Sequence, residues 1–186
     1  SHLLVLVHGL CMNDLQWNWK GHDHGAALAA ATGCTAVYAR YNSGRHVSQN
    51  GHDFADALQA LLADWPVPVD RITLLTHSMG GLVARSAIHY GNLAGHDWPG
   101  RLAQLFFLGT PHHGAPLERG GHVIDLALGI STYSAALARL GKVRSAGITD
   151  LRHGSVLDAD WQGRDRFARG AAHPTALALP EGLRCY

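Results

Sequence analysis

A serine stands between a strand-like run and a helix-like run in residues 71–85, which read RITLLTHSMGGLVAR. The apolar residues before Ser78 predict a buried strand, and the residues after it predict a helix. A strand that passes directly into a helix holds the serine hydroxyl at a sharp turn, beside the free N–H groups and the positive dipole end of that helix. This setting favours attack on an acyl carbon. We therefore predict that Ser78 is a nucleophile.

The residues around the serine follow the pattern T-x-S-x-G, with Thr76 two residues before Ser78 and Gly80 two residues after it. The usual pattern at such a turn is G-x-S-x-G, so Thr76 is a departure that places a β-branched residue where glycine is common. The alternative is that Ser78 is an ordinary N-cap, whose hydroxyl accepts a hydrogen bond from the first helical turn.

Two further segments predict buried strands that end in loops of turn-forming residues. Residues 3–9 read LLVLVHG, and residues 102–114 read LAQLFFLGTPHHG. Each is a continuous apolar run closed by glycine, which is typical of a parallel strand covered on both faces.

The sequence resembles the α/β-hydrolase superfamily and, within it, the bacterial lipases and esterases. The resemblance is carried by V-H-G at residues 7–9, T-H-S-M-G-G at 76–81 and G-T-P-H-H-G at 109–114, in that order. It covers roughly residues 3–118, at spacings close to those of that group.

The resemblance implies an activity and an oxyanion site. It implies hydrolysis of a small-molecule or lipid carboxylic ester through an acyl-Ser78 intermediate. The oxyanion would be bound by the backbone N–H groups of Leu10 and Met79. No cofactor is required, because this chemistry uses protein groups only. Two alternatives remain open: an acyltransferase that uses the same site, and a non-catalytic binding module that keeps the fold.

The other predicted elements fit a mostly parallel, doubly wound α/β sheet of three layers. Residues 35–41 predict a strand, and 79–90 predict a helix after Ser78. Another helix is predicted to begin near Asn50–Asp53 and to end before Pro66. Its apolar residues recur at helical spacing: Phe54, Leu58, Leu61, Leu62 and Trp65. In such sheets ligands bind beyond the carboxyl ends of the strands, where the three motifs lie.

The chain is interpreted as a single domain over residues 1–186, in which residues 115–182 are less regular. Apolar runs predict short helices at 123–130 and 133–140. These helices would form either a lid-like insertion over the site or ordinary packing helices of the core.

A serine nucleophile also needs a histidine base and an orienting carboxylate, which this fold supplies in the order Ser, Asp or Glu, His. The sequence offers only weak in-chain candidates, because no strand-like run separates them: Asp150, Asp158 and Asp160 as acids, His153 and His173 as bases. Residues 183–186 instead look like the opening of a further strand. We therefore expect that the chain is a fragment, incomplete at its C-terminus, and that the triad acid and base lie beyond Tyr186.

Composition excludes several classes of protein. Hydrophobic residues make up 47% of the 186 residues and charged residues 16%, with a formal net charge of +1 and no basic run, so nucleic acid is not an expected partner. No apolar stretch reaches transmembrane length, although contact with a membrane surface stays possible. Residues 1–10 do not resemble a signal peptide, and localisation and oligomeric state are left open.

Cysteine and histidine usage predicts neither a disulfide framework nor a metal site. The three cysteines are few and scattered: Cys11, Cys34 and Cys185. His22 and His24 could clip a metal in an extended segment, but two ligands make a weak site, and a solvated loop is the better interpretation.

Overall fold

Five parallel strands form the central sheet in the computed structural model, which describes residues 1–114, 145–163 and 175–186. In the order they occupy across the sheet, the strands are β4 (Thr35–Ala39), β1 (His2–Val7), β5 (Arg71–His77), β6 (Leu102–Leu108) and β7 (Arg184–Cys185). Two further short strands, β2 (Asn18–Trp19) and β3 (His22–Asp23), pair with each other as an antiparallel hairpin.

Helices follow the strands on both faces of the sheet. The α-helices among the described residues are α1 (His24–Thr32), α2 (Val47–Asp64), α3 (Met79–Leu93) and α4 (Ala146–His153). Shorter 3₁₀ helices occupy Asp14–Trp17, Trp98–Arg101 and Asp158–Asp160. None of these described helices is both long enough and apolar enough to cross a bilayer.

The side chains of β1 alternate between two apolar layers, as the period of a strand requires. Leu3 and Val5 pack in one core with residues of α2 and α3, whereas Leu4 and Leu6 pack on the opposite face. Helix α1 lies on that second face, where Gly25 sits directly against the Tyr38 ring and Leu6. The sheet is therefore covered on both sides, and the predicted three-layer α/β fold is confirmed.

Three boundaries differ from the sequence prediction, one of them the end of α3, which was predicted at 90 and lies at Leu93. The strand predicted over 35–41 ends at Ala39, and helix α2 begins at Val47 rather than near Asn50. The earlier start is explained by a capping box at His46, in which the Gln49 side chain accepts a hydrogen bond from the His46 N–H at 3.3 Å.

Helix α1 was not anticipated. Its sequence, HGAALAAAT, has small apolar residues on every side, so it shows no amphipathic stripe. Its ends carry ordinary signals, since Asp23 accepts a hydrogen bond from the Ala26 N–H at 2.9 Å and Gly33 closes the helix in the left-handed region.

The segment 145–163 packs onto α2 and α3. Its apolar side chains Leu151, Val156 and Leu157 join a core that also contains Met79 and Leu82. The helices predicted at 123–130 and 133–140 lie outside the described residues, and the lid-like role of residues 115–182 stays a prediction. The strand opening predicted at 183–186 is present as β7, which pairs parallel with β6.

Candidate active site

Ser78 occupies a strained turn between β5 and α3. Its backbone has φ 52° and ψ −121°, a conformation that residues with a side chain seldom adopt. Ser78 precedes the first helical residue, yet its side chain makes no capping hydrogen bond. Its backbone N–H instead donates to the Leu108 carbonyl of β6 at 2.8 Å. The ordinary N-cap is therefore not what forms here. The turn has the geometry of a nucleophile elbow, with the serine half-buried.

The two glycines at positions 80 and 81, after Ser78, allow α3 to begin against the neighbouring backbone. A Cβ at Gly80 would lie 2.6 Å from the carbonyl oxygens of both Val7 and His8. A Cβ at Gly81 would clash with the Thr110 side chain. Both positions therefore require glycine, and β1, α3 and the loop after β6 meet at this turn.

Thr76 is accommodated by a hydrogen bond across the sheet. Its side chain is fully buried, and its hydroxyl donates to the Phe106 carbonyl of β6 at 2.8 Å. The departure from the usual elbow pattern therefore adds a link between β5 and β6 directly before the turn.

The loop after β1 lies against the elbow. A Cβ at Gly9 would lie 3.2 Å from the Ser78 Cβ, so this loop passes next to Ser78. The Leu10 side chain is buried, and the Met79 side chain is completely enclosed. Within the described residues, neither the Leu10 nor the Met79 backbone N–H donates a hydrogen bond.

His8 holds this loop in place. Its Nε2 accepts a hydrogen bond from the Tyr41 N–H at 3.3 Å, which leaves Nδ1 protonated to donate to the Gly9 carbonyl at 2.9 Å. The Tyr41 hydroxyl donates to the His8 carbonyl at 2.6 Å, and the two rings stack at 4.2 Å. Burial lowers the pKa of His8. A neutral imidazole with both nitrogens occupied serves structure rather than proton transfer.

The predicted in-chain acids Asp150 and Asp158 each contact a histidine of α2 or its cap. Asp150 is buried and accepts hydrogen bonds from His46 Nδ1 at 3.0 Å and the Val47 N–H at 2.7 Å. Asp158 lies 3.2 Å from His52 Nε2. These pairs were missed because their members stand 104 and 106 positions apart in the chain.

The third acid, Asp160, is nearly surrounded by donors. It accepts hydrogen bonds at 2.9 Å from the N–H groups of Val156 and Leu157, and from the Thr175 N–H at 3.1 Å and hydroxyl at 2.9 Å. Of the candidate bases, His153 lies in the last turn of α4, and His173 lies outside the described residues.

No group of three or more His, Cys, Asp or Glu side chains is arranged to hold a metal within the described ranges. His22 and His24 contact each other edge to face, with ring centroids 4.9 Å apart. Asp23 between them is engaged in capping α1 and in a hydrogen bond from the Tyr38 hydroxyl.

A strained serine turn at the carboxyl edge of a parallel sheet, covered by helices on both faces, defines an α/β hydrolase. The chain belongs to the family of the PGAP1-like alpha/beta domain, whose model matches residues 39–178. Among the curated proteins, none matches this chain significantly.

Solved structures with the same fold include lipases and esterases. The chain is similar to the mature Bacillus licheniformis lipase BlEst2, with 25% identity and a TM-score of 0.59, covering 81% of this chain and 54% of that one. A metagenomic carboxyl esterase shares the fold at 19% identity and a TM-score of 0.56, covering 99% of this chain and 48% of that one. The Legionella pneumophila phospholipase PlaB shares the fold at 18% identity and a TM-score of 0.55, covering 87% of this chain and 34% of that one. The chain thus spans about half the length of the Bacillus lipase.

Proposed function

We propose that this chain carries the nucleophile and oxyanion site of a serine hydrolase that cleaves carboxylic esters. The Ser78 Oγ attacks the carbonyl carbon while a histidine accepts its proton and passes it to the leaving alcohol. Water then attacks the acyl-serine, and the acid is released. The observation that carries the proposal is the left-handed backbone of Ser78, with a hydroxyl that caps no helix.

The oxyanion hole is proposed to consist of the Leu10 and Met79 N–H groups. Support comes from the closeness of Gly9 to the Ser78 Cβ, and from the absence of another partner for either N–H among the described residues. Loss of one such donor typically lowers kcat by about 10²–10³-fold.

The base and its orienting acid are proposed to lie in sequence that follows Tyr186. Support comes from the hydrogen bonds of Asp150 and Asp158, which direct both carboxylates toward α2 and its cap. Residues 1–186 alone are then expected to hydrolyse esters about four to six decades more slowly than the natural protein. Hydrolysis by residues 1–186 that Ser78→Ala and His173→Ala abolish alike would contradict this part of the proposal.

The test of the nucleophile is labelling of the natural full-length protein by a fluorophosphonate, followed by peptide mapping. Label is expected on Ser78, and Ser78→Ala should abolish it. Ser43→Ala is the matched control, because Ser43 lies beside the same loop with its hydroxyl bound by the Cys11 N–H at 3.1 Å. The Ser43→Ala protein should still be labelled on Ser78. A full-length protein that folds but takes up no label would instead favour a binding module.

Hydrolysis and acyl transfer share the acyl-serine and differ in what accepts the acyl group. Product analysis with an added alcohol separates them, since a transferase would form the new ester in preference to the free acid. We propose that the protein is a hydrolase, so the free acid is the expected main product. A new ester as the main product would show that it is an acyltransferase instead.

A further inference from the structure

A basic cleft opens beside the elbow, between α3 and the carboxyl end of β6. Its volume is about 870 Å³. Arg85 and His112 line it from the two elements, and His113 lies next to His112. One wall is apolar and includes Phe107, Leu177 and Leu179. The cleft thus combines a guanidinium group and imidazole rings with a hydrocarbon surface.

The cleft lies at the end of a line of contacts that starts at Ser78. The Ser78 N–H contacts Leu108, Gly81 packs on Thr110, and Arg85 contacts His112. Residues seven apart lie on the same side of a helix, and seven residues span about 10 Å of helix axis. The guanidinium group of Arg85 is therefore presented on the nucleophile's side of α3, two turns further along.

Arg85 has no carboxylate partner among the described residues. Its Nη1 lies 3.4 Å from His112 Nδ1, an arrangement in which the guanidinium donates to a neutral imidazole. No Asp or Glu lines the described part of the cleft. Asp160 is hydrogen-bonded to Thr175, which lines the cleft. The Asp160 carboxylate already accepts hydrogen bonds from Val156, Leu157 and Thr175. Among the described residues, the half-buried Arg85 guanidinium is hydrogen-bonded to one imidazole, so it has further N–H groups that can donate to an anion.

The titration behaviour agrees with a locally positive site. Burial, then the nearby Arg85 and His113, lower the pKa of His112. Burial also lowers the pKa of Arg85 itself. Burial disfavours the charged form of both groups, and at His112 the neighbouring Arg85 and His113 add to that effect; a bound anion would offset both.

We propose that this cleft binds an oxyanion, a phosphate or carboxylate group, carried by the ester substrate. Arg85 and His112 bind the anion, and the apolar wall binds the adjoining hydrocarbon. That the anion belongs to the ester substrate rests on the proposed function, whereas the existence of an anion-binding site does not depend on it. It makes the preferred ester an anionic one, whose charge lies about 10 Å from the scissile carbonyl along α3.

The test is a titration of the natural full-length protein, carrying Ser78→Ala, with inorganic phosphate, followed by the imidazole NMR signals of its histidines, 14 of which lie in residues 1–186. Saturable shifts are expected at His112 and His113 and absent at His2, at the opposite edge of the sheet. Parallel titrations with butyrate and with dihexanoyl phosphatidic acid identify the preferred source of the anion. Shifts that fail to saturate, or that are equal at His2, would overturn the proposal without any variant being needed.

Arg85→Gln is expected to weaken phosphate binding at least tenfold, because hydrogen bonds to a charged group are lost. Arg71→Gln is the matched control: Arg71 also contacts a histidine, with Nη2 3.5 Å from His2 Nδ1, but it lies at the start of β5. It should change the affinity less than twofold. Equal weakening of phosphate binding by both variants would mean that affinity depends only on the net charge of the protein, and it would contradict a specific site at Arg85. The titration uses the Ser78→Ala protein, which cannot react, so a negative titration would not contradict the proposal that Ser78 is the nucleophile. Likewise, a negative fluorophosphonate experiment would not contradict the anion site.

Discussion

Gly80 is the single residue on which the position of the nucleophile turn most depends. A Cβ there would meet the carbonyl oxygens of Val7, the last residue of β1, and of His8, which follows it, both at 2.6 Å, and such backbone atoms cannot move aside as side chains can. Gly80→Ala is therefore expected to lower the free energy of unfolding by about 1–3 kcal/mol. Urea denaturation measures it. Gly100→Ala is the control, since nothing lies within 4 Å of a Cβ there, and an equal loss in both variants would contradict the packing argument.

Thr76 makes a second prediction at the scale of one residue. Thr76→Val keeps the shape but removes the hydroxyl that donates to the Phe106 carbonyl, so it should lower the free energy of unfolding by about 1 kcal/mol. Thr76→Gly, which restores the usual pattern, should be less stable still because it also removes buried methyl surface. Thr32→Val is the control on an exposed hydroxyl. A Thr76→Gly protein as stable as the parent would show that the hydrogen bond contributes nothing.

The strand-to-helix turn at Ser78 was predictable from residue types, whereas the partners of the acids were not. Ser78 with Gly80 is a local pattern whose meaning depends on a strand before it and a helix after it. His46 and Asp150 meet only because α4 packs on α2, and no local pattern marks such a pair. The contact of the Arg85 guanidinium with His112 was missed for the same reason, since in sequence Arg85 is one more basic residue of a helix.

At the scale of elements, strands were easier to predict than helices. The three apolar runs that became β1, β5 and β6 are each continuous, and burial on both faces produces that signal. The alanines of α1 carry no such signal. The first turn of α2 has a single large apolar residue, Val47, followed by the polar Ser48, Gln49 and Asn50, so it shows no apolar stripe, and the capping box at His46 sets the boundary.

Asp160, a buried carboxylate of the segment 145–163, joins this segment to Thr175, and the pKa of Asp160 determines how that contact depends on pH. Burial opposes its ionisation, but hydrogen bonds from Val156, Leu157 and Thr175 outweigh it and lower the pKa of Asp160 below 3.8. A lowered pKa means that the unfolded state binds the proton more readily. The stabilisation is therefore present above about pH 4 and is lost as the pH falls through the folded-state pKa.

Asp160→Asn should accordingly lower the free energy of unfolding by about 2 kcal/mol at pH 7, since charge-assisted bonds are lost. The deficit should shrink as the pH falls below about 4. Urea denaturation at a series of pH values measures both effects. The exposed Asp64 at the end of α2 provides the control Asp64→Asn, expected to be nearly neutral throughout. A deficit that stays constant down to pH 2 would show that shape, rather than charge, is what Asp160 contributes.

The whole molecule is organised around β1 and β5, which lie inside the sheet and bear core residues on both faces. Hydrogen exchange should therefore be slowest for the amides of β1 and β5. It should be fastest among the sheet strands for β7, which is two residues long and paired on one side. Exchange followed by NMR measures this order. Amides of β7 as slow as those of β1 would mean that the edge is protected by something that the described residues do not contain.

Ser78 combines the reactive hydroxyl with a backbone conformation that glycine would adopt more easily. Replacing Ser78 by glycine should therefore raise the free energy of unfolding by about 1 kcal/mol relative to Ser78→Ala, which keeps the strain and removes the hydroxyl. Thermal denaturation of the two variants makes the comparison. The domain would then be more robust without its nucleophile than with it, so selection for stability alone would tend to erase the activity that we propose, and only a need for the chemistry would retain the serine.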